Sequence, residues 1–512
     1  MESKKRRKKG SFVGRAAIIL LAIGLEAAII AFIFTLAGDA MAYIEVALRI
    51  VGAVVVLAII RHSKSISSNL IWILLIDLFP VPGTITYILL NARTIAGKTY
   101  GELKIETDLA RKYYVQNDLV YDEMCTYESE YKGQLHYISK TEGFPFYRDE
   151  GCDYYSLGEL GFPHMLEALK NAKRFIFLEF FIIGEGVMWE SILDILEEKV
   201  KEGVDVRVIY DDLGTIFKLP SSYAEELEQK GIKCICFNRI HPVLNTIMNR
   251  RDHRKIMVID GDIAFSGGIN LADEYINVEE KFGQWKDNII RIKGEAVWSM
   301  TVMFLTHWNA LRKEDSDYNA FRGKAPLPAA MNGYISPYCD SPLDEERVSQ
   351  DICQGIINQA KKYCYIFTPY LIVDNELENT LVYAAKRGID VRIITPGIPD
   401  KKIVWHITRS YYRPLLEGGV KIYEYTPGFM HSKVVVSDDH IATVGTVNLD
   451  YRSMYFQFEN GLYLCGCKAI GDVKKDFLDS VKKSREISIE DCNWGLFKDF
   501  LLSCLRIFAP LL

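Results

Sequence analysis

Apolar positions are distributed along this chain in two distinct ways. Residues 12–36, 44–60 and 70–90 form three almost continuous apolar stretches, each at or near the length that spans a bilayer. Beyond them the segment 96–147 is polar and rich in tyrosine, and reads as a connector with some structure of its own. From there on, helical periodicity alternates with short apolar runs rich in β-branched residues, the pattern of an α/β unit with a largely parallel sheet. That alternation occurs twice. Ala168-Leu169-Lys170-Asn171-Ala172-Lys173-Arg174-Phe175 is answered by Ile356-Ile357-Asn358-Gln359-Ala360-Lys361-Lys362-Tyr363, and Lys201-Glu202-Gly203-Val204-Asp205-Val206-Arg207 by Lys386-Arg387-Gly388-Ile389-Asp390-Val391-Arg392. The predicted order is therefore a membrane region (1–95) with two to three hydrophobic segments, the connector (96–147), a first repeat (148–325), a second repeat (326–490) and a tail (491–512).

Each repeat carries the same group of polar residues at the same spacing. The first has His253, Lys255 and Asp260, followed by Gly267 and Asn270. The second has His431, Lys433 and Asp438, followed by Gly445 and Asn448. In both, four residues separate Lys from Asp and six separate Asp from Gly. Five positions matched twice make a signal that one His-x-Lys would not. The runs 255–259 and 433–437 read as buried strands, and side chains two apart on a strand share a face, so each His and its Lys point the same way. An imidazole beside a fixed ammonium and an Asn amide suits a phosphodiester: the imidazole attacks phosphorus while Lys and Asn hold the non-bridging oxygens. A second His opposite the first can then protonate the leaving group. The repeats lie 188 positions apart at Gly231 and Gly419 but 178 apart at the histidines, so the first holds about ten extra residues within 238–251. These form either a lip over the site or an ordinary surface loop.

Composition narrows the class. A net charge of −6, with nearly half the residues hydrophobic, excludes a chain that coats nucleic acid with a basic surface. The nine histidines form no HExxH or comparable cluster and the eleven cysteines no CxxC pair, so no metal centre is expected. Glu26, inside the first apolar stretch, is costly against lipid and is expected to face a neighbouring helix. The third stretch carries Pro80, Pro82 and Gly83 at its middle, so a kinked or re-entrant segment competes with a clean span. By the positive-inside rule, residues 4–9 and the loop with Arg61 and Lys64 are cytoplasmic. Three full spans would put the catalytic region outside, while the odd number of cysteines fits a reducing compartment. The side stays open. The tail, with Trp494, Phe497, Phe500, Leu501 and Leu505 among Lys498 and Arg506, fits an amphipathic helix at a bilayer surface or a helix docked on the second repeat.

The paired HxKxxxxD and GxxN motifs resemble those of the phospholipase D superfamily. Gly283-Gln284-Trp285-Lys286-Asp287, Gly445-Thr446-Val447-Asn448-Leu449-Asp450-Tyr451-Arg452-Ser453, Phe458-Glu459 and the Pro-Leu-Leu ending are similar to bacterial cardiolipin synthases, over roughly residues 69–512. That resemblance implies an α/β fold of two tandem repeats about a pseudo-twofold axis with one shared site, preceded by transmembrane helices in a multi-pass protein of the cell membrane. It implies His253 and His431 as nucleophile and acid/base, with His253 expected to attack. Lys255, Lys433, Asn270 and Asn448 would bind phosphate, and Glu459 would orient an imidazole. The first repeat has Lys281 where Glu would be equivalent, so that role falls to Asp287. Asp260 and Asp438, which end their strands, are grouped with the catalytic motif although structural support suits them equally. No cofactor is implied. The expected partners are phosphatidylglycerol and membrane lipid, not nucleic acid, with a homo-oligomer left open. The expected reaction passes a phosphatidyl group from one phosphatidylglycerol to another. A hydrolytic phospholipase D, or a transferase for another head group, is the rival reading.

Overall fold

The computed structural model describes residues 41–62, 66–91, 95–240, 249–313, 316–323, 333–344, 346–507 and 509. The first expected apolar stretch, 12–36, and most of the extra segment, 241–248, lie outside these residues. The second stretch falls within helix α1 (Met41–His62). The third is split between α2 (Ile66–Leu78) and α3 (Pro80–Asn91), which fold back on each other as a hairpin, with Trp72 against Tyr87 at 5.4 Å. The turn needs Gly83, where any Cβ would strike the Leu75 carbonyl. Among the described residues no helix is long and apolar enough to cross a membrane.

The expected connector is part of the core. Helix α4 (Ile95–Ala110) buries Tyr100, Leu103 and Ala110 in the central cluster, while Val120, Met124, Leu135, Ile138 and Phe146 pack against the second repeat. Its tail end crosses between repeats: β1 (Tyr147–Arg148) pairs with β11 (Tyr334–Asp340) of the second sheet, not with the first.

The first repeat contributes β2 (Cys152–Tyr155), β3 (Phe175–Phe180), β4 (Asp205–Asp211), β5 (Lys233–Phe237), β6 (Arg251–Asp252), β7 (Lys255–Ile259), β8 (Ile263–Gly267), β9 (Gln284–Lys286) and β10 (Ile289–Lys293). Its sheet runs β2-β10-β8-β7-β3-β4-β5. The second contributes β12 (Tyr363–Phe367), β13 (Leu371–Ile372), β14 (Asp390–Pro396), β15 (Lys421–Tyr425), β16 (Gly428–Met430), β17 (Val434–Ser437), β18 (Ile441–Gly445), β19 (Leu449–Asp450), β20 (Gln457–Cys465) and β21 (Ser484–Ile487). Its central order β11-β20-β18-β17-β12-β14-β15 reproduces the first strand for strand. The expectation of a largely parallel sheet is corrected here. Only β3-β4-β5 and β12-β14-β15 are parallel, and every other pairing along these two orders is antiparallel. The reason lies in the connections: helices cross over between β3 and β4 and between β12 and β14, whereas β7–β8 and β17–β18 are joined by short turns, which give antiparallel neighbours.

One central cluster joins the two halves. Helix 297–312 is buried from Val297 to Ala310 and lies, with helix Ala469–Val481, among residues of both sheets. Phe177 stacks on Phe304 at 4.5 Å and, at the equivalent place, Tyr365 on Phe477 at 4.7 Å. The tail helix Leu496–Ile507 is docked: Leu502 is buried, Leu505 packs on the second repeat, and Arg506 lies 4.0 Å from the Tyr411 ring.

Because the core begins at α4 and not after residue 147, truncations should divide sharply. Removing residues 1–91 should leave a cooperative thermal unfolding transition near that of the full chain. Removing 1–146 strips apolar side chains from both clusters and should abolish that transition, since each large buried side chain is worth about 1.5–3 kcal/mol. Circular dichroism melts of the two truncations decide it.

Candidate active site

Two short parallel ladders build the site, and both cross between repeats. β6, which leads into His253, pairs with the start of β20, so that Phe458 lies beside Asp252. β16, which leads into His431, pairs with β9, so that Phe429 lies beside Trp285. The main-chain amide of His253 donates to the Phe458 carbonyl at 2.9 Å, and that of His431 to the Lys286 carbonyl at 2.7 Å. The residue after each acceptor is a carboxylate. Glu459 therefore meets the imidazole of His253, both oxygens 3.0 Å from Nδ1, and Asp287 meets that of His431 at 2.6 Å. Each histidine is held by a carboxylate from the other repeat. With Nδ1 occupied, Nε2 is the ring atom left for chemistry.

The lysines share this burial. Lys255 and Lys433 are almost wholly enclosed, and each Nζ donates to the carbonyl of its own motif histidine, Lys255 at 2.6 Å. Asn270 accepts from the Ile182 amide at 3.0 Å and donates to the Tyr275 hydroxyl at 2.8 Å. The Asn448 amide nitrogen of the main chain donates to Ser453 Oγ at 3.1 Å, and the side-chain Oδ1 is buried without a partner, as expected where a ligand donor completes the set. Asp260 and Asp438 lie elsewhere. Asp260 accepts from the amides of Lys173, Arg174 and Phe175 (2.7–3.0 Å), and Asp438 from those of Lys361, Lys362 and Tyr363 (2.6–2.9 Å). Both follow the ends of their strands with positive φ and tie down the starts of β3 and β12, a strand's length from the histidines.

Electrostatics in the site is dominated by burial. Burial, then the charges of Lys255 and Lys433, holds His253 well below the ordinary imidazole range. Burial and Lys433 lower His431 to about 4, partly offset by Asp287. Lys255 is brought down to about 7 and Lys433 to about 8, in both cases by burial first. Each lysine acts on the other repeat's imidazole as well as its own, so the four groups share one enclosure. Burial opposes the charge of Asp287, but His431, Lys433 and the Asn288 amide outweigh it and leave its carboxyl below the usual range. Glu459 is pushed up by burial despite Lys255 and the Thr446 hydroxyl.

Several supporting residues were not among the sequence candidates. Asn460 accepts from the Lys255 amide at 3.0 Å and donates to Ser266 Oγ at 2.8 Å, its main-chain amide donates to Thr446 Oγ1 at 3.0 Å, and Thr446 also holds Glu459. Gly268 leaves room for Asp287, since any Cβ there would collide with its Oδ1. Phe181 packs against His253 at 5.2 Å, and Tyr275, Trp285 and Phe429 surround His431 at 5.3–5.6 Å. Beneath His253 lies a fully buried group of Glu179, Asp252, Arg254 and His307. His307 Nδ1 is 2.8 Å from Glu179, Arg254 Nη1 3.9 Å from Glu179, and the Arg254 amide 3.2 Å from Asp252. Its donors could hold a cation, yet Arg254 already supplies positive charge there. The available signal was Glu179, which breaks the otherwise apolar run Phe-Ile-Phe-Leu-Glu-Phe.

The comparisons agree with this geometry. The family model described as "Cardiolipin synthase, PLD-like domain" matches residues 165–308 and 354–480, one match in each repeat. A cardiolipin synthase of Alkalihalophilus pseudofirmus is 34% identical over 87% of this chain and 89% of its own. Cardiolipin synthase 2 of Bacillus anthracis is 33% identical over 89% and 88%. An uncharacterized protein of Streptococcus mutans is 43% identical over 89% of this chain and 99% of its own. In fold, the chain is similar to the crystal structure of phosphatidylserine synthase from Haemophilus influenzae, with a TM-score of 0.55 and 16% identity over 73% of this chain and 98% of that one.

Two measurements probe the site. For the pH dependence, His431 at about 4 is already neutral at pH 5 and His253 is held down in the same direction by burial, whereas Lys255 at about 7 and Lys433 at about 8 lose charge above those values. Because kcat/KM reports the unliganded enzyme, and the acid must take up a proton that His431 of that enzyme binds only near pH 4, it should fall steadily as pH rises from 5 and more steeply above about 7. A rise through pH 6–8 would contradict this. For the carboxylate, Gly268→Ala should displace Asp287 and cut kcat by about 10–100-fold, with the melting temperature lowered far less than in a core truncation.

Both repeats, both motif copies and relatives spanning most of the chain agree: the protein belongs to the cardiolipin synthase family of phospholipase D-like enzymes.

Proposed function

We propose that this chain is a cardiolipin synthase that moves a phosphatidyl group between two phosphatidylglycerol molecules through a phosphohistidine. The observation that carries this reading is the crossed pair of imidazoles, each fixed at Nδ1 by the other repeat's carboxylate. Nε2 of one histidine attacks phosphorus, the N–P bond forms and the P–O bond to the head-group glycerol breaks. The second histidine delivers its proton to the departing oxygen. In the return step that histidine takes the proton from a terminal hydroxyl of another phosphatidylglycerol, whose oxygen attacks phosphorus and breaks the N–P bond. Lys255, Lys433, Asn270 and Asn448 stabilise charge on the non-bridging oxygens, and burial limits access of competing water.

Within this reading His253 attacks and His431 carries the proton. The charges around His253 are chiefly positive and favour its neutral, nucleophilic form. His431 has beneath it a carboxylate held in its charged state, which favours the imidazolium once an anionic phosphodiester arrives. Asp260 and Asp438 take no part in the chemistry. They fasten strand ends through three main-chain amides each.

The lipid substrate calls for membrane contact, and the N-terminal helices supply it. Val46, Ile50, Val54 and Leu57 recur along one side of α1 and are all more than half exposed, forming an apolar face. The hairpin of α2 and α3 supports the re-entrant alternative for residues 70–90, which leaves the catalytic core on the side of the basic residues 4–9.

The purified full chain with phosphatidylglycerol as sole lipid should yield cardiolipin and glycerol, resolved by mass spectrometry. Phosphatidic acid alone would favour a hydrolytic phospholipase D. His253→Ala and His431→Ala should each lower turnover by on the order of 10³-fold or more. Acid quenching with phosphorus-labelled lipid should trap an adduct in His431→Ala and none in His253→Ala; the opposite pattern reverses the two roles.

A further inference from the structure

The loops that follow β4 and β14 occupy equivalent places in the two sheets, at the ends of the parallel strands that face the site. Both are tied to the segments that lead into the histidines. Asp211, the last residue of β4, accepts from the amides of Leu213 and Asp252, the latter next to His253. In the second repeat the Ile398 amide donates to the carbonyl of Gly428, where the strand into His431 begins. Phe181, packed on His253, touches the first loop at Gly214, where no Cβ could fit.

Each loop carries large apolar side chains that are at least a third exposed. Leu213 and Phe217 are 36% and 71% exposed, and Ile398 and Ile403 are 40% and 61% exposed. The two loops do not share a sequence. Asp212-Leu213-Gly214-Thr215-Ile216-Phe217 and Gly397-Ile398-Pro399-Asp400-Lys401-Lys402-Ile403 have in common only the property of presenting bulky apolar groups at the mouth. Lys401 and Lys402, both exposed, stand between the two isoleucines. Helix α4 meets the segment leading into His253. Tyr100, near the start of α4, donates to the carbonyl of Arg250, three residues before His253, and accepts from Asn238 at 2.9 Å.

We propose that Leu213, Phe217, Ile398 and Ile403, with Lys401 and Lys402, seat the mouth of the site in the interface of an anionic phospholipid bilayer. Apolar side chains ringed by basic ones are what such an interface takes up. Donor and acceptor lipids then reach the histidines from the bilayer itself, with their phosphates at the depth of the rim and their acyl chains never passing through water. The proposal rests on the cardiolipin synthase reading for its substrate but not for its physical test.

Two measurements on the full chain decide it. In the first, product formation is compared between vesicles of phosphatidylethanolamine with phosphatidylglycerol and a short-chain phosphatidylglycerol dissolved below its aggregation threshold. Phe217→Ser/Ile403→Ser should keep the wild-type melting temperature, and its ratio of vesicle to dissolved rate should fall by on the order of tenfold. The control Leu119→Ser, 76% exposed on helix Asp118–Tyr127, should leave that ratio unchanged. An unaltered ratio in the double variant, or equal loss on both substrates, overturns the proposal. In the second, which needs no turnover, Phe217→Trp is reconstituted into vesicles with acyl chains brominated at a shallow position. Emission beyond that of the wild type should be quenched; unquenched emission places the rim in water and overturns the proposal even if cardiolipin is formed. Quenching with no cardiolipin from the wild type would uphold the docking and refute the assigned reaction.

Discussion

The site depends on the exchange of two short strands between the repeats. Neither repeat holds a complete set of groups: the carboxylate that meets His253 comes from the second repeat, since Asp252 turns instead to His307 and Arg254, and the one that meets His431 comes from the first. Each is registered by main-chain hydrogen bonds on the strand that carries the partner carboxylate, Asp252 beside Phe458 and Phe429 beside Trp285. Because a one-residue slip in a strand turns every side chain to the opposite face, these ladders set which face of each imidazole meets its acid. They also explain the shared central cluster. Two sheets that must deliver residues to each other within hydrogen-bond distance cannot move as independent domains, and the helices 297–312 and 469–481, buried among both, remove that freedom.

Enclosing two histidines and two lysines together has a definite electrical consequence. Four groups able to carry positive charge sit with two carboxylates, and burial favours whichever protonation states lower the net charge. The empty site responds by lowering the affinity of all four for protons. That state is poised for an anion. A phosphodiester entering the enclosure restores charge balance and raises those proton affinities together, so binding of substrate and charging of the acid are one event. The buried Asn448 Oδ1, an acceptor with no partner among the described residues, can take a hydrogen bond from a hydroxyl.

Much of this was legible in the chain, for physical reasons that can be named. The strands 255–259 and 434–437 came from runs of apolar residues, and the pairing of His with Lys from the period of two. The hairpin of α2 and α3 was foreshadowed by Pro80, Pro82 and Gly83, and structure selects it over a straight span. What could not be read was which carboxylate serves which histidine, because periodicity specifies faces within a strand and says nothing of strands exchanged between repeats. The mixed sheets were missed for a related reason: apolar runs look alike whether their neighbours are parallel or not. How residues 96–147 pack was not legible because their polar and aromatic composition hides a buried stripe, Tyr100, Leu103 and Ala110.

The two halves match in backbone, yet the layers beneath their histidines do not. Under His253 lie Glu179, Asp252, Arg254 and His307, a buried group whose charges balance internally. At the corresponding places around His431 stand Phe367, Met430 and Ser432, and the nearby charge is a single pair, Lys286 with Asp476 at 2.7 Å, to which Tyr154 adds a hydrogen bond at 2.8 Å. Lys286 immediately precedes Asp287, so that pair fixes the carboxylate that supports His431, whereas the larger group fixes the peptide of His253 itself. The duplicated motif is symmetric in its histidines, lysines and asparagines and asymmetric in what holds the histidines. A reaction in which one histidine forms a covalent bond and the other only moves a proton needs that difference: the attacking ring must be held against displacement along the forming bond, and the proton carrier must keep a charged carboxylate beneath it.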